Sequence, residues 1–102
     1  MEYDRLERTD IERQAEMLKT LGHPARLCIM LKLTSGAKNV SEMQGCLNMP
    51  QSTVSQHLAT MRSKGLIRGE RHGTEVIYSI SEPSIKYIVE AIFKSWEEVK
   101  NA

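Results

Sequence analysis

Between residues 51 and 72 the chain gathers side chains suited to a polyanion and to the edges of bases. Gln51, Ser52, Thr53, Ser55 and Gln56 fall within six residues, and Arg62, Arg68, Arg71 and His72 follow. Amide and guanidinium groups can meet base edges bidentately, hydroxyls suit base or phosphate, and short side chains permit close approach to a groove. A face serving solubility alone would carry more Lys and Glu. Here Ser52, Gln56, Ala59 and Ser63 share a face with Ser55 and Arg62 at its edge, and Arg62 is its one charge. The bland alternative is a polar surface helix followed by a solvated turn. Cys28 and Cys46 form a second candidate set, able in principle to work as a dithiol switch toward oxidants or persulfides. Each lies beside apolar residues, Leu27/Leu31 and Met43/Leu47, where a free thiol behaves as a small hydrophobe. His23 and His57 read better as capping and packing residues than as metal ligands. No nucleophile–base–orienter set and no glycine-rich phosphate loop is present, so the pattern predicts neither an enzyme nor a cofactor.

These side chains need elements to hold them. Thr9 with Glu12 has capping-box spacing, and Ile11, Ala15, Leu18 and Leu21 follow at helical period, which predicts a first helix over Asp10–Leu21. Gly22 and His23 interrupt it, and Pro24 suits the first turn of a second helix ending near Leu33, with Leu27, Met30 and Leu31 on one side. Ser41 with Gln44 predicts a short third helix over Glu42–Leu47. Asn48, Met49 and Pro50 form a tight turn, in which Asn tolerates the left-handed conformation. A fourth helix over Gln51–Ser63 buries the stripe Val54, Leu58 and Met61 and stops at Gly65. Two short helices joined so tightly are a helix-turn-helix layout. Its first-turn residues Gln51, Ser52 and Thr53 can offer backbone N–H groups to a phosphate.

Past Gly65 the period changes to that of strands. Leu66 and Ile67, then Val76, Ile77, Tyr78 and Ile80, predict a hairpin whose turn is Arg71-His72-Gly73-Thr74. Its basic tip can touch phosphates or enter a minor groove. Pro83 opens a last helix carrying Ile85, Ile88, Val89, Ile92, Phe93, Trp96 and Val99. Its apolar residues spread over a wider arc than one buried stripe requires, and the surplus suggests a partner chain. The order is α-α-α-α-β-β-α, a mainly α fold with a β-hairpin wing, and 102 residues suit one domain, 1–102.

Composition sets the outer bounds. Fourteen Lys and Arg oppose thirteen Asp and Glu, and 40% of residues are hydrophobic, which fits an ordinary globular chain. No apolar run is long enough to cross a bilayer, and the mixed-charge N-terminus does not read as a signal peptide, so a cytoplasmic chain with no membrane partner is expected. Charge is uneven. Residues 1–22 carry net −2, residues 23–49 and 50–80 net +2 each, and residues 81–102 net −1. A basic middle between acidic ends fits a central surface for a polyanion.

The run Leu21-Gly22-His23-Pro24-Ala25-Arg26-Leu27 resembles the entry to the second helix in the ArsR/SmtB family of bacterial winged-helix repressors. Gln51-Ser52-Thr53-Val54-Ser55-Gln56-His57-Leu58 resembles that family's recognition helix, and Gly65-Leu66-Ile67 leads, as there, to a wing ending in Ile77-Tyr78. The resemblance spans nearly the whole chain. It implies a winged helix-turn-helix homodimer clasped through the first and last helices, which places Ile11, Leu18, Ile85, Ile88, Ile92 and Trp96 at the interface. It implies repression by binding an imperfect inverted-repeat operator in double-stranded DNA, with an inducer the residues do not name.

Metal-sensing members often carry Cys-x-Cys where this chain has Asn39-Val40-Ser41, or Asp and His on the last helix, where no His follows Ser84. Neutral Asn and Ser are poor ligands for soft metals, so neither metal site is expected, and Met49–Leu58 is most similar to metal-independent members. Two other readings stay open: a thiol-responsive repressor using Cys28 and Cys46, and a winged-helix protein-interaction module without a DNA role. The second would need apolar anchors on the fourth helix, and Ser52, Ser55, Gln56 and Ala59 supply none.

Overall fold

The computed structural model describes residues 6–101, so Glu2, Asp4 and Arg5, part of the acidic N-terminal count, lie outside the described residues. The elements follow in the expected order: α1 (Arg8–Leu21), α2 (Pro24–Leu33), α3 (Val40–Met43), α4 (Gln51–Ser63), β1 (Ile67–His72), β2 (Glu75–Ile80) and α5 (Pro83–Lys100). A 3-10 turn, Cys46–Asn48, separates α3 from α4.

Two helix starts differ from expectation. α1 begins at a reciprocal cap in which Asp10 Oδ2 accepts the Glu7 N–H at 3.1 Å. The Thr9–Glu12 box does not form, and Glu12 instead pairs with Arg8 at 2.9 Å. α3 is capped by Asn39, whose Oδ1 accepts the Glu42 N–H at 2.9 Å while Glu42 Oε1 accepts the Asn39 N–H at 3.0 Å. The Ser41–Gln44 box is absent. α3 stops at Met43 instead of reaching Leu47, and Leu47 and Asn48 both turn left-handed, at φ 55° and 54°. Asn48 was the expected residue there; for Leu47 the conformation costs roughly 1–2 kcal/mol. Fully buried Cys46 anchors the chain just ahead of this turn.

α2 and α4 take the spans their sequence predicts. Val54, Leu58 and Met61 are fully buried and meet Ile29, Met30, Met43, Ile85 and Val89 in one core. On α2 the core face is Ala25, Ile29, Met30 and Leu33, with Leu27 and Leu31 only at its margin.

α4 ends in a Schellman arrangement: Leu66 N–H donates to the Met61 carbonyl at 3.0 Å and Gly65 N–H to the Arg62 carbonyl at 3.0 Å. Gly65 sits at φ 75°, which glycine adopts without strain. The hairpin then pairs Ile67 with Ile80 through to His72 with Glu75. Its loop is Gly73-Thr74, so Arg71 and His72, expected in the turn, are strand residues. β2 gains a second neighbour at Tyr78, whose N–H donates to the Lys38 carbonyl at 2.8 Å.

Candidate nucleic-acid interface

α4 presents its polar face as the residue pattern requires. Gln51, Ser52, Ser55, Gln56, Ala59, Arg62 and Ser63 are exposed, and Thr53 is half-buried. Among the described residues, no hydrogen bond engages the side chains of Gln51, Ser52, Ser55, Gln56 or Arg62, which leaves them available to a ligand. The N-cap is Pro50, whose side chain cannot accept from the first-turn N–H groups. Those donors, at the positive end of the helix dipole, suit a phosphate.

The hairpin leaves α4 through the Gly65 turn and is strapped at its base. Ser81 Oγ donates to the Gly65 carbonyl at 2.8 Å, and Ser81 N–H to the Leu66 carbonyl at 3.0 Å. Arg68, Arg71 and His72 are exposed along β1. Arg68 Nε donates to Ser79 Oγ across the strands at 3.2 Å, which steadies the guanidinium without neutralising it. His72 Nε2 lies 3.7 Å from Glu70 Oε1 on the same strand. The position that sequence reasoning missed is Arg26, whose Nε donates to His57 Nδ1 at 3.3 Å and whose Nη1 donates to the Thr20 carbonyl at 3.3 Å. His57 has its pKa held below the ordinary value of 6.5, first by burial and then by the neighbouring His23 and Arg26. His23 caps α2, its Nδ1 accepting the Ala25 N–H at 3.1 Å.

Cys28 on α2 and Cys46 before α4 are joined as a disulfide, with Cα atoms 5.7 Å apart. Both thiol candidates are therefore brought together. Asn39, at the first of the two metal-associated positions, spends its side chain on the α3 cap and on Glu75, to which Nδ2 donates at 2.6 Å. Among the described residues, no group of three or more His, Cys, Asp or Glu side chains is placed to hold a metal ion.

The residues expected at a partner interface divide. Ile11, Leu18, Ile92 and Trp96 are exposed, and Ile88 is half-buried. Ile85 is a correction: it is fully buried beside Val89 in the protomer's own core and has no surface to offer a second chain. The apolar stripe of α5 is a single face. Its first turns pack on the body, and its later turns, with Ile92, Trp96 and Val99, run past it. Along α1 an open groove of about 630 Å³ is lined by Leu6, Asp10, Ile11, Gln14, Ala15 and Leu18.

A tight turn into a helix with an open amide and hydroxyl face, followed by a basic two-stranded hairpin, defines a winged helix-turn-helix DNA-binding protein. A family model described as bacterial regulatory protein, arsR family, matches residues 23–68. The transcriptional repressor PagR of Bacillus anthracis is 44% identical over 89 residues, covering 86% of this chain and 89% of PagR. Its crystal structure superposes with a TM-score of 0.75 over 84% of this chain and 99% of its own, at 42% identity. HlyU of Vibrio cholerae superposes at 0.82 over 88% of this chain and 98% of its own, at 27% identity. The transcriptional repressor SmtB of Mycobacterium tuberculosis is 35% identical over 78% of this chain, which spans 58% of SmtB. The chain belongs to the ArsR family and is a DNA-binding transcriptional regulator.

Proposed function

We propose that the chain acts as a homodimeric, sequence-specific repressor, residues 1–102 forming one functional unit in the cytoplasm. Two copies clasp through α1 and α5 and set their α4 helices into successive major grooves of an imperfect inverted repeat. Gln51, Ser52, Thr53, Ser55, Gln56 and Arg62 meet bases and phosphates, and Arg68, Arg71 and His72 of each wing meet the flanking backbone. The observation that carries this reading is the exposed α4 face, where among the described residues no hydrogen bond engages the side chains of Gln51, Ser52, Ser55, Gln56 or Arg62. The exposed Ile11, Leu18, Ile92 and Trp96 support the clasp. No metal inducer is part of this reading, because the two positions that metal sensors use carry Asn39 and Ser41. A protein-interaction module is disfavoured by the same face, which lacks apolar anchors.

Fluorescence anisotropy with duplexes from the chain's own upstream region tests the proposal. Log affinity should fall steeply with log salt, and the cognate duplex should win over random sequence. Affinity indifferent to salt, or equal for both duplexes, would contradict it.

A second reading, thiol-responsive repression, is favoured by the pairing of Cys28 with Cys46. Hydrogen peroxide would take two electrons and two protons from the dithiol, forming the disulfide and two waters. Operator affinity should then differ between reduced and oxidised protein and become indifferent in Cys28→Ser; equal affinity in both states of the wild type would end this reading.

A further inference from the structure

The Arg26 side chain hydrogen-bonds across three helices of the DNA-binding unit. From α2 its Nη1 reaches the Thr20 carbonyl at the end of α1, and its Nε reaches His57 Nδ1 on α4, both at 3.3 Å. The second bond specifies a protonation state. An N–H of Arg can only donate, so Nδ1 of His57 must present its lone pair and the imidazole must be neutral, with its proton on Nε2. His57 follows Gln56, on the open face of α4, and precedes Leu58, fully buried in the core. Val54, Leu58 and Met61 seat α4 in the core, and a bond to the imidazole between that stripe and Gln56 bears on the rotation at which Gln56 meets a groove.

Among the described residues, the surroundings supply no free acid to compensate a proton there. The α1–α2 junction presents His23, whose ring centroid lies 4.7 Å from that of His57, and α2 presents Arg26. His23 is itself used as an acceptor at Nδ1. The acid that α1 turns toward α4, Glu16, is taken by Lys64 at 3.0 Å. Among the described residues, the charged or titratable groups that act on His57 are His23 and Arg26. A proton on Nδ1 would convert the acceptor into a donor facing a guanidinium, losing one bond and creating a like-charge contact.

We infer that Arg26 and His57 form a positioning clamp that fixes α4 at its DNA-docking angle and holds only while His57 is neutral, so that operator recognition is released by acid. The inference rests on the DNA-binding reading above. Neither residue needs to touch DNA; both act through Gln56 and its neighbours.

The test is the ratio of cognate to random-duplex affinity for the full chain at two pH values. For the wild type the ratio should fall severalfold, and by at most about tenfold, between about pH 7.5 and about pH 5.5, the ceiling set by uptake of one proton at a group whose pKa lies below 6.5. Taking a ratio removes any change in DNA affinity with pH that is independent of sequence. In His57→Asn, whose Oδ1 can take the place of Nδ1 without titrating, the ratio should stay high and flat. In His57→Phe it should be low and flat. A wild-type ratio that ignores pH, or an Asn variant that follows the wild type, overturns the clamp. Absence of cognate preference at the higher pH would instead overturn the DNA-binding reading itself. The imidazole nitrogen shifts of the wild-type protein give a check free of variants: the clamp requires the Nε2–H form at neutral pH, and an Nδ1–H form contradicts it.

Discussion

In the proposed reading Gln56 and Arg71 serve recognition in different ways, and that difference can be measured. Gln56 projects from the open face of α4, where an amide can pair bidentately with adenine, so Gln56→Ala should weaken the cognate duplex by about 1–3 kcal/mol and leave random duplex nearly unchanged. Arg71, exposed near the end of β1, offers charge; Arg71→Ala should weaken all duplexes alike and reduce the salt slope by about 1. The exposed positions of both residues were legible because a polar helix face low in Lys and Glu, followed by a basic hairpin, is a pattern local in sequence. The partner of Arg26 was not legible, since His57 lies 31 residues away and only the packing of α2 on α4 brings the two together. His57 also bears on stability. With a folded-state pKa below 6.5, the native protein prefers the neutral imidazole. Its contribution is complete above the unfolded value and is lost as pH falls toward the folded one. Urea midpoints measured downward from neutrality should therefore fall for the wild type, and His57→Asn should flatten part of that fall.

At the scale of elements, helical period was enough for α4 and α2, whose spans agree with the sequence because apolar spacing, Pro24 and Gly65 punctuate them. Capping patterns were ambiguous where two candidates overlapped. Ser41–Gln44 and Asn39–Glu42 both satisfy the spacing, and the second wins with a contact outside the local chain, Asn39 to Glu75 on β2. The early end of α3 was hidden for a similar reason: the turn at Leu47 and Asn48 follows Cys46, which is bonded to α2. That bond ties α2 to the entry of α4 across 18 residues of sequence. Loop-closure entropy gives a link of this length a stabilisation of about 3 kcal/mol. Reductant should lower the unfolding free energy by that order, and Cys28→Ser should remove the response to reductant; identical denaturation curves with and without reductant would show that the link contributes nothing.

For the whole molecule, the radius of gyration is 14.9 Å against about 13 Å for a compact chain of this length, with extents of 48 × 37 × 20 Å. α5 carries Ile92, Trp96 and Val99 exposed along its later turns. The sequence revealed the surplus of apolar surface but not where it divides, because the division falls along the helix rather than around it: Ile85 is inside, Ile92 outside. A twofold assembly through α1 and α5 would cover that surface and give a twofold operator its matching reader. Sedimentation velocity on the purified chain with a duplex carrying its operator tests this most directly. Two chains per duplex, with Ile92→Glu abolishing both the dimer and tight binding, is the predicted result. A single chain holding its operator tightly would contradict it.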